Sequence, residues 1–432
     1  MMTSRFAFVT ANNTIGRGGG RGFPAPSHGM EHVAITGMGI ISSLGLSVAD
    51  YWSSLLRDRP AIRPADIPMV PDAIPLWSPV PSHFDPARRL DPALIRVTDR
   101  LTQWILSAAA EAIESGGVQH LPSLRTAVIV GCTMGSVPAF AQSQTAYDGA
   151  GAGVVSPRLM SQVIPNMPAA NLAIQWGLHG PLLTISTACA SSLDAIGQAA
   201  RLVERGEVDF AIAGGVDSLL TPVVYHSRIR ARAVSRATDP RRASRPFDRD
   251  RDGFVMGEGA GVVLLERVDH ARQRHQPLLA RIRGYGTVSD AHHVTSPEPT
   301  GQWEARAMTL AQEDAGSPRI GAVIAHGTGT PVGDAAEIRA INRVLAGQST
   351  VPVTSVKGHM GHSMAAAGVM AIIAGVNALH TQQLPATLGT RSVDPEAQFS
   401  VVMGQPRPVP MERLQINAFG FGGQNVSIIL SD

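Results

Sequence analysis

From Met30 onward the chain alternates short β-rich runs with segments of helical spacing. That alternation confines it to a layered α/β fold. His32–Thr36 reads as a buried strand entering the turn Gly37-Met38-Gly39, and Leu101–Glu114 reads as a helix. Ala127–Val130 reads as a strand running into Gly131, and Phe210–Ala213 as a strand closing on Gly214-Gly215. Thr184-Ile185-Ser186 leads through Cys189 into helical spacing over Ser191–Glu204. Arg228–Asp252, dense in arginine and aspartate, reads as a solvated loop. The second half echoes the first: Ala127–Gly131 is similar to Ala322–His326, and Asp209–Gly215 to Gln415–Gly423. Two similar halves meeting near residue 275 are expected, which suits 432 residues better than one small domain.

Composition narrows the class. With 44% hydrophobic and 16% charged residues the chain is not disordered overall. Its two cysteines, Cys132 and Cys189, form neither a disulfide framework nor a zinc ribbon and suit a reducing, cytoplasmic setting. No unbroken run of about 18 apolar residues occurs, so no membrane span is expected. A net charge of +2 makes no case for nucleic acid. Residues 1–29 carry Arg5, Arg17 and Arg21, no acid, and the run Gly18-Gly19-Gly20. They lack a signal peptide's apolar core and read as a disordered extension, or as the product of a start placed upstream of Met30.

The 36 basic residues include one lysine, Lys357. Lysine is normally among the commonest residues, so a base-composition bias towards arginine is the simplest cause. A lysine that survives such a bias is a candidate for a role that arginine's planar fork cannot fill. Chance survival is the alternative, and the neighbourhood of Lys357 must decide.

Four segments carry the chemistry. In Ser186-Thr187-Ala188-Cys189-Ala190-Ser191-Ser192 a strand ends, small residues crowd the turn, and a helix begins. A thiol at a helix N-terminus is expected to lean towards thiolate, which suits a nucleophile; a buried structural cysteine is the alternative. Cys132 lies in a glycine-rich turn without a clear helix start and reads as structural. In Ala325–Glu337 a histidine at a strand end, His326, precedes a Gly/Thr loop holding Thr328 and Thr330. Asp334 and Glu337 then open a helix. The hydroxyls either meet a ligand or cap the turn, and the acids also suit the helix dipole. In Ser355–Ser363, Lys357 stands five positions before His362, with His359 between them. No thiol or carboxylate completes a zinc set there. Asn417–Asn425 is a glycine-rich turn whose N–H groups suit an oxyanion.

Together these segments resemble the elongating β-ketoacyl-acyl-carrier-protein synthases, condensing enzymes of the thiolase fold. Further matches are Val33–Gly39, Pro165-Asn166-Met167, Arg245–Gly261 and Ser289–Pro297, so that only residues 1–29 lie outside the resemblance. The resemblance implies a thiolase-like duplicated five-layer αβαβα fold. A half over 30–275 would carry the nucleophile, and a half over 276–432 the histidines and lysine. It implies Cys189 as nucleophile, His326 and His362 as donors to the malonyl thioester oxygen, and Lys357 tuning them in contact with Glu337. The N–H groups of Cys189 and Phe421 would form the oxyanion hole. Thr328 and Thr330 would hold the pantetheine or malonyl group, and Phe421 would gate the acyl tunnel. Met134 would line the far end of the acyl pocket, with His293 and Thr295 near the pantetheine channel and Asp334 and Glu337 in support.

No metal or cofactor is implied, because the phosphopantetheine belongs to the acyl-carrier protein. That partner's acidity points to docking arginines, with Arg88, Arg89, Arg96 and Arg232 as candidates. The implied reaction is decarboxylative condensation of an acyl-enzyme thioester with malonyl-carrier protein, in fatty-acid or type II polyketide synthesis. A homodimer is expected, or a heterodimer with a chain-length subunit. The motifs fill the chain, so no fused acyltransferase or carrier domain is expected. A non-elongating chain-length subunit is the main alternative; such subunits usually lose the nucleophile, which is present here. A thiolase would need a second cysteine late in the chain, and none follows Cys189. A Cys/His hydrolase is the remote reading.

Overall fold

A computed structural model describes residues 33–65, 67, 75–348 and 350–432. The extension expected over 1–29 lies outside the described residues, as does His32 at the head of the first expected strand. Among the described residues the largest sheet has eleven strands. The first five are β1 (Val33–Ser42), β2 (Thr126–Gly131), β3 (Leu182–Ile185), β4 (Phe210–Asp217) and β5 (Gly259–Arg267). The others are β6 (Ala280–Ser289), β7 (Ala322–Ile324), β8 (Pro352–Thr354), β9 (Ser400–Val401), β10 (Arg413–Gly420) and β11 (Gln424–Ser431).

The first half runs β1-β5-β4-β2-β3 and the second β6-β11-β10-β7-β8-β9. Directions repeat as well. The two pairings next to β1 and to β6 are antiparallel, and the following two are parallel. Val33–Ile35 of β1 pairs antiparallel with Ala280–Ile282 of β6, joining the two halves. The echoes between Ala127 and Ala322 and between Asp209 and Gln415 therefore fall on strands in matching positions.

Six helices set the layers. They are α1 (Arg100–Ser115), α2 (Ser191–Glu204), α3 (Pro222–Arg230), α4 (Gln302–Asp314), α5 (Pro331–Val344) and α6 (Ala367–Thr381). Helix α1 covers the outer face of β1 and β5, while α4, with α5 beside it, covers β6 and β11. Helices α2 and α6 lie between the halves, and their apolar residues share one core with both sets of strands. The result is the five-layer duplicated arrangement expected of a thiolase-like chain. Met364–Thr381, including α6, is long and apolar enough to cross a membrane, yet 83% of it is buried inside the protein. Its composition is that of a central helix with apolar neighbours all round.

Two local expectations are corrected. The first strand does not turn at Gly37-Met38-Gly39 but runs on to Ser42. A Cβ at Gly37 would lie 1.9 Å from the Ala112 carbonyl oxygen, and one at Gly39 1.9 Å from that of Ala108. These glycines let α1 seat directly on the strand, whose pairing with β5 shifts register between Ile35 and Gly37. Arg228–Asp252 is no solvated loop either: it starts inside α3, and Ser244–Asp248 are buried. Its buried charges are paired, Arg245 with Asp252 at 2.9 Å and Arg251 with Asp394 at 2.6 Å. Asp248 accepts the main-chain N–H groups of Arg391 and Ser392, which ties the segment to the second half.

Candidate active site

The site forms where the ends of β3, β7 and β10 meet. After β3 the chain turns through Ala188, whose φ of 49° is unusual for a residue with a side chain. A 3₁₀ turn over Ala188–Ala190 passes directly into α2, so Cys189 stands on an elbow. The Ser191 hydroxyl braces it, accepting from Thr187 N at 3.0 Å and donating to the Ala188 carbonyl at 2.6 Å. From the other side the glycine turn after β10 closes in. A Cβ at Gly420 would lie 2.6 Å from the Thr187 carbonyl oxygen and 3.2 Å from Cys189 N. The Phe421 N–H donates to the Cys189 sulfur.

The expected thiolate is corrected. Burial pushes the Cys189 thiol up to about 11, against the charges of Lys357 and Arg228 and the Phe421 N–H, which pull it down. Desolvation of the anion outweighs the help of the helix end, so the resting sulfur is a thiol. Burial also raises the Cys132 thiol, and that residue is wholly enclosed, as a structural cysteine should be.

His326 follows β7, and its loop is held by two buried carboxylates. Glu337 accepts His326 N at 2.8 Å and Gly327 N at 2.6 Å. Asp334 accepts Thr328 N at 2.9 Å, Gly329 N at 3.0 Å and, from across the molecule, Phe247 N at 2.7 Å. Both acids are raised above the ordinary carboxylate range, with burial the main cause. Lys357 is buried as well, which pulls its ammonium pKa down while the charge of Glu337 pushes it up. Its expected contact with Glu337 is replaced by another: Nζ donates to the His326 carbonyl oxygen at 2.5 Å. The carboxylate's oxygens already serve main-chain N–H groups, so it acts on Lys357 through charge.

His362 is fixed by its main chain, donating to Val255 O at 2.7 Å and accepting from Gly257 N at 2.9 Å. Its ring meets His326 edge-on at 5.4 Å between centroids and Phe254 at 5.5 Å. Nδ1 of His326 and both ring nitrogens of His362 are buried without a hydrogen-bond partner. Burial, and then the charge of Lys357, hold both imidazoles well below the usual histidine value, so they are neutral at pH 7. His359 points elsewhere: it is fully enclosed away from the cavity, and burial lowers it to about 4.

A cavity of about 810 Å³ gathers Cys189, His326, His362, Thr328, Thr330, Thr295, Met134, Phe421, Asp334 and Glu337. Lys357 supports this wall from behind. The Thr330 hydroxyl also caps α5, accepting from Gly333 N at 3.2 Å, and lies 3.0 Å from that of Thr328. Thr295 is an exposed rim residue whose N–H donates to His293 Nδ1 at 3.1 Å. Met134 lines the cavity and is 57% exposed in this chain, which places it on an open flank. Of the four docking candidates only Arg232 lines this cavity. Arg88 and Arg89 flank a separate cavity, where Arg89 pairs with Glu114 at 2.9 Å, and Arg96 is exposed on the short helix Pro92–Val97. Sequence reasoning missed Arg228, which lines the cavity with its guanidinium 5.2 Å from the Phe421 ring centre. An arginine among arginines gave no local sign of this.

The family comparison is decisive. The model described as "Beta-ketoacyl synthase, N-terminal domain" matches residues 30–271, and "Beta-ketoacyl synthase, C-terminal domain" matches 279–391. The chain belongs to the β-ketoacyl synthase family. Such a ketosynthase is an acyltransferase. It is 37% identical to 3-oxoacyl-[acyl-carrier-protein] synthase 2 of Vibrio cholerae, over 92% of this chain and 98% of that one. It is 34% identical to the putative polyketide beta-ketoacyl synthase 1 of Streptomyces cyaneus, over 93% of this ketosynthase and 98% of the relative. Among solved structures, the ishigamide ketosynthase/chain length factor superposes with a TM-score of 0.87 at 30% identity, covering 94% of this chain and 99% of the other.

Proposed function

We propose that this ketosynthase elongates an acyl chain by decarboxylative condensation with a malonyl-carrier protein. Cys189 Sγ attacks the carrier-bound acyl thioester, and the proton leaving Sγ ends on the departing pantetheine sulfur. The malonyl thioester then enters, and loss of CO2 leaves an enolate. The neutral imidazoles of His326 and His362 donate N–H bonds to that oxygen in a water-poor pocket. The enolate carbon attacks the Cys189 thioester. The N–H groups of Cys189 and Phe421 stabilise the tetrahedral oxyanion, and the cysteine sulfur leaves beside the charges of Lys357 and Arg228. Lys357 keeps the imidazoles neutral and anchors the His326 main chain. The phosphopantetheine arm comes with the carrier, so the enzyme needs no cofactor of its own. The observation that carries this reading is two neutral, unpartnered imidazoles sharing one cavity with Cys189. Intact-mass spectrometry tests it: acyl-carrier protein should leave an acyl group on Cys189 that persists until malonyl-carrier protein arrives. Rapid hydrolysis of that adduct would refute a synthase.

The edge strand β3 supports a dimer. Leu182 and Leu183 are 46% and 48% exposed on an unpaired sheet edge, a liability that a second copy pairing antiparallel would remove. A chain-length subunit on the same edge is the second reading, favoured by the ishigamide relative being a ketosynthase/chain length factor. Leu183→Lys should yield a monomer in light scattering. Arg232 at the cavity rim supports a carrier approaching from that side, and the halves 30–275 and 276–432 divide the labour as the motifs imply. A cytoplasmic setting accords with this chemistry.

A further inference from the structure

We propose that Arg228 selects acyl groups that carry a carboxylate; this rests on the reading of Cys189 as the acyl acceptor. Arg228 stands in the last turn of α3. That helix packs Val224 and Ile229 into an apolar cluster with Leu219, Phe254, Met364 and Cys189. An alkyl chain on the sulfur suits those walls, yet a guanidinium projects into the same cavity. Its charge reaches both the Cys189 sulfur and His362.

The cation lacks an acidic partner. Among the described residues no ion pair brings a carboxylate oxygen within 4.0 Å of it, and its guanidinium lies over the Phe421 ring at 5.2 Å. None of the acids nearby forms an ion pair with it. Asp217 Oδ2 accepts the Thr133 hydroxyl at 2.6 Å and Ala365 N at 3.0 Å; its buried Oδ1 has no hydrogen-bond partner, and the Arg228 charge reaches this carboxyl only through space. Asp334 and Glu337 hold the histidine loop. Asp290 accepts from Asn425 Nδ2 and from Glu298 N. Glu304 is buried, and burial and then the acids around it raise its carboxyl well above the usual range. A guanidinium half-withdrawn from water, with donors in a rigid fork, is matched by a planar carboxylate. The malonyl carboxylate is a poorer match, since it must leave as CO2 beside the histidines, and the arm's phosphate stays with the carrier outside. The remaining source is a carboxylate on the acyl chain itself.

The test uses two carrier-bound acyl donors of equal length, one ending in a methyl group and one in a carboxylate. Acylation rates of Cys189 are followed by intact mass in the wild type, Arg228→Gln and Arg228→Lys, with thermal melting to confirm folding. The ratio of the two rates is the readout. The wild type should favour the carboxylate by ~10- to 100-fold, the worth of a charge-assisted buried contact. Arg228→Gln should bring the ratio to within about threefold, and Arg228→Lys should keep part of it. A wild type that prefers the methyl donor would overturn the proposal. So would equal slowing of both donors in Arg228→Gln, which is what tuning of the thiol alone predicts. No acylation from either donor would overturn this proposal and the ketosynthase mechanism together.

Discussion

Replacing Lys357 by arginine keeps the charge and changes only its shape, which makes it the sharpest perturbation of this site. The ammonium nitrogen sits 2.5 Å from the His326 carbonyl oxygen, on a residue that is 4% exposed. The main chain there cannot retreat. Ser244 Oγ donates to the Lys357 carbonyl at 2.6 Å, and Lys357 N donates to Ser355 Oγ at 3.3 Å. A Cβ on the adjacent Gly358 would meet the Leu388 carbonyl oxygen at 2.4 Å, so that backbone is already in contact. A longer, forked guanidinium must therefore push the His326 carbonyl, and the imidazole beyond it, by a displacement on the order of 1 Å. Misplacement of a reacting group by that much costs about 10²-fold in rate. The expected result is malonyl decarboxylation slowed by about 10²-fold, with Cys189 acylation slowed much less, because the Phe421 N–H and Arg228 remain beside the sulfur. CO2 release and intact-mass acylation measure the two steps separately. The acid limb of the pH profile should keep its place, since the charge that keeps the imidazoles neutral is still present, whereas any alkaline change that follows Lys357, lowered by burial to about 8, should disappear. Lys357→Met should move the acid limb to higher pH, because removing that charge lets the imidazoles protonate more readily. Decarboxylation in Lys357→Arg within about threefold of wild type would refute the geometric role assigned to the lysine.

Three further outcomes follow from the packing. Asp334→Ala strands the buried N–H groups of Thr328, Gly329 and Phe247, so chemical denaturation should show a loss of about 3 kcal/mol or more, with activity falling as the histidine loop loosens. His359 has its native pKa at about 4, below the ordinary 6.5, so the native state takes its proton later than the unfolded chain does. Its contribution is full above about pH 6.5 and is lost as pH falls towards 4, on the order of 3 kcal/mol in total; urea midpoints against pH should show a slope that His359→Gln flattens. Gly37→Ala inserts a methyl group 1.9 Å from the Ala112 carbonyl oxygen and should lower the melting temperature through a loss of at least 1–3 kcal/mol. An unchanged melting temperature would show that α1 can slide on β1.

Part of this is legible in the sequence. The helix over Ser191–Glu204 has the bounds its spacing predicts, because its apolar positions and its entry after Cys189 are local properties. Cys189, His326, His362 and Lys357 stand in motifs long enough to be recognised in order, and the structure brings the first three around one cavity with the lysine behind it. The role of Gly37 and Gly39 is not legible locally, because a glycine that makes a turn and one that admits a helix look alike in a sequence. Gly37 needs Ala112 to be understood, and the two are far apart along the chain.

What the sequence determined by itself is the chemistry available: one thiol at an elbow, two histidines, one retained lysine, in a duplicated α/β frame. The tertiary structure decided the states of those groups. It made Cys189 a resting thiol, turned Lys357 to the His326 carbonyl and away from Glu337, kept His362 in the cavity while sealing His359 elsewhere, and brought Arg228 from an apparently solvated run to the side of the nucleophile. The physical reason is common to all four. Desolvation and charge act through everything packed around a group, whatever its distance in sequence, so they exist only once the layers have closed.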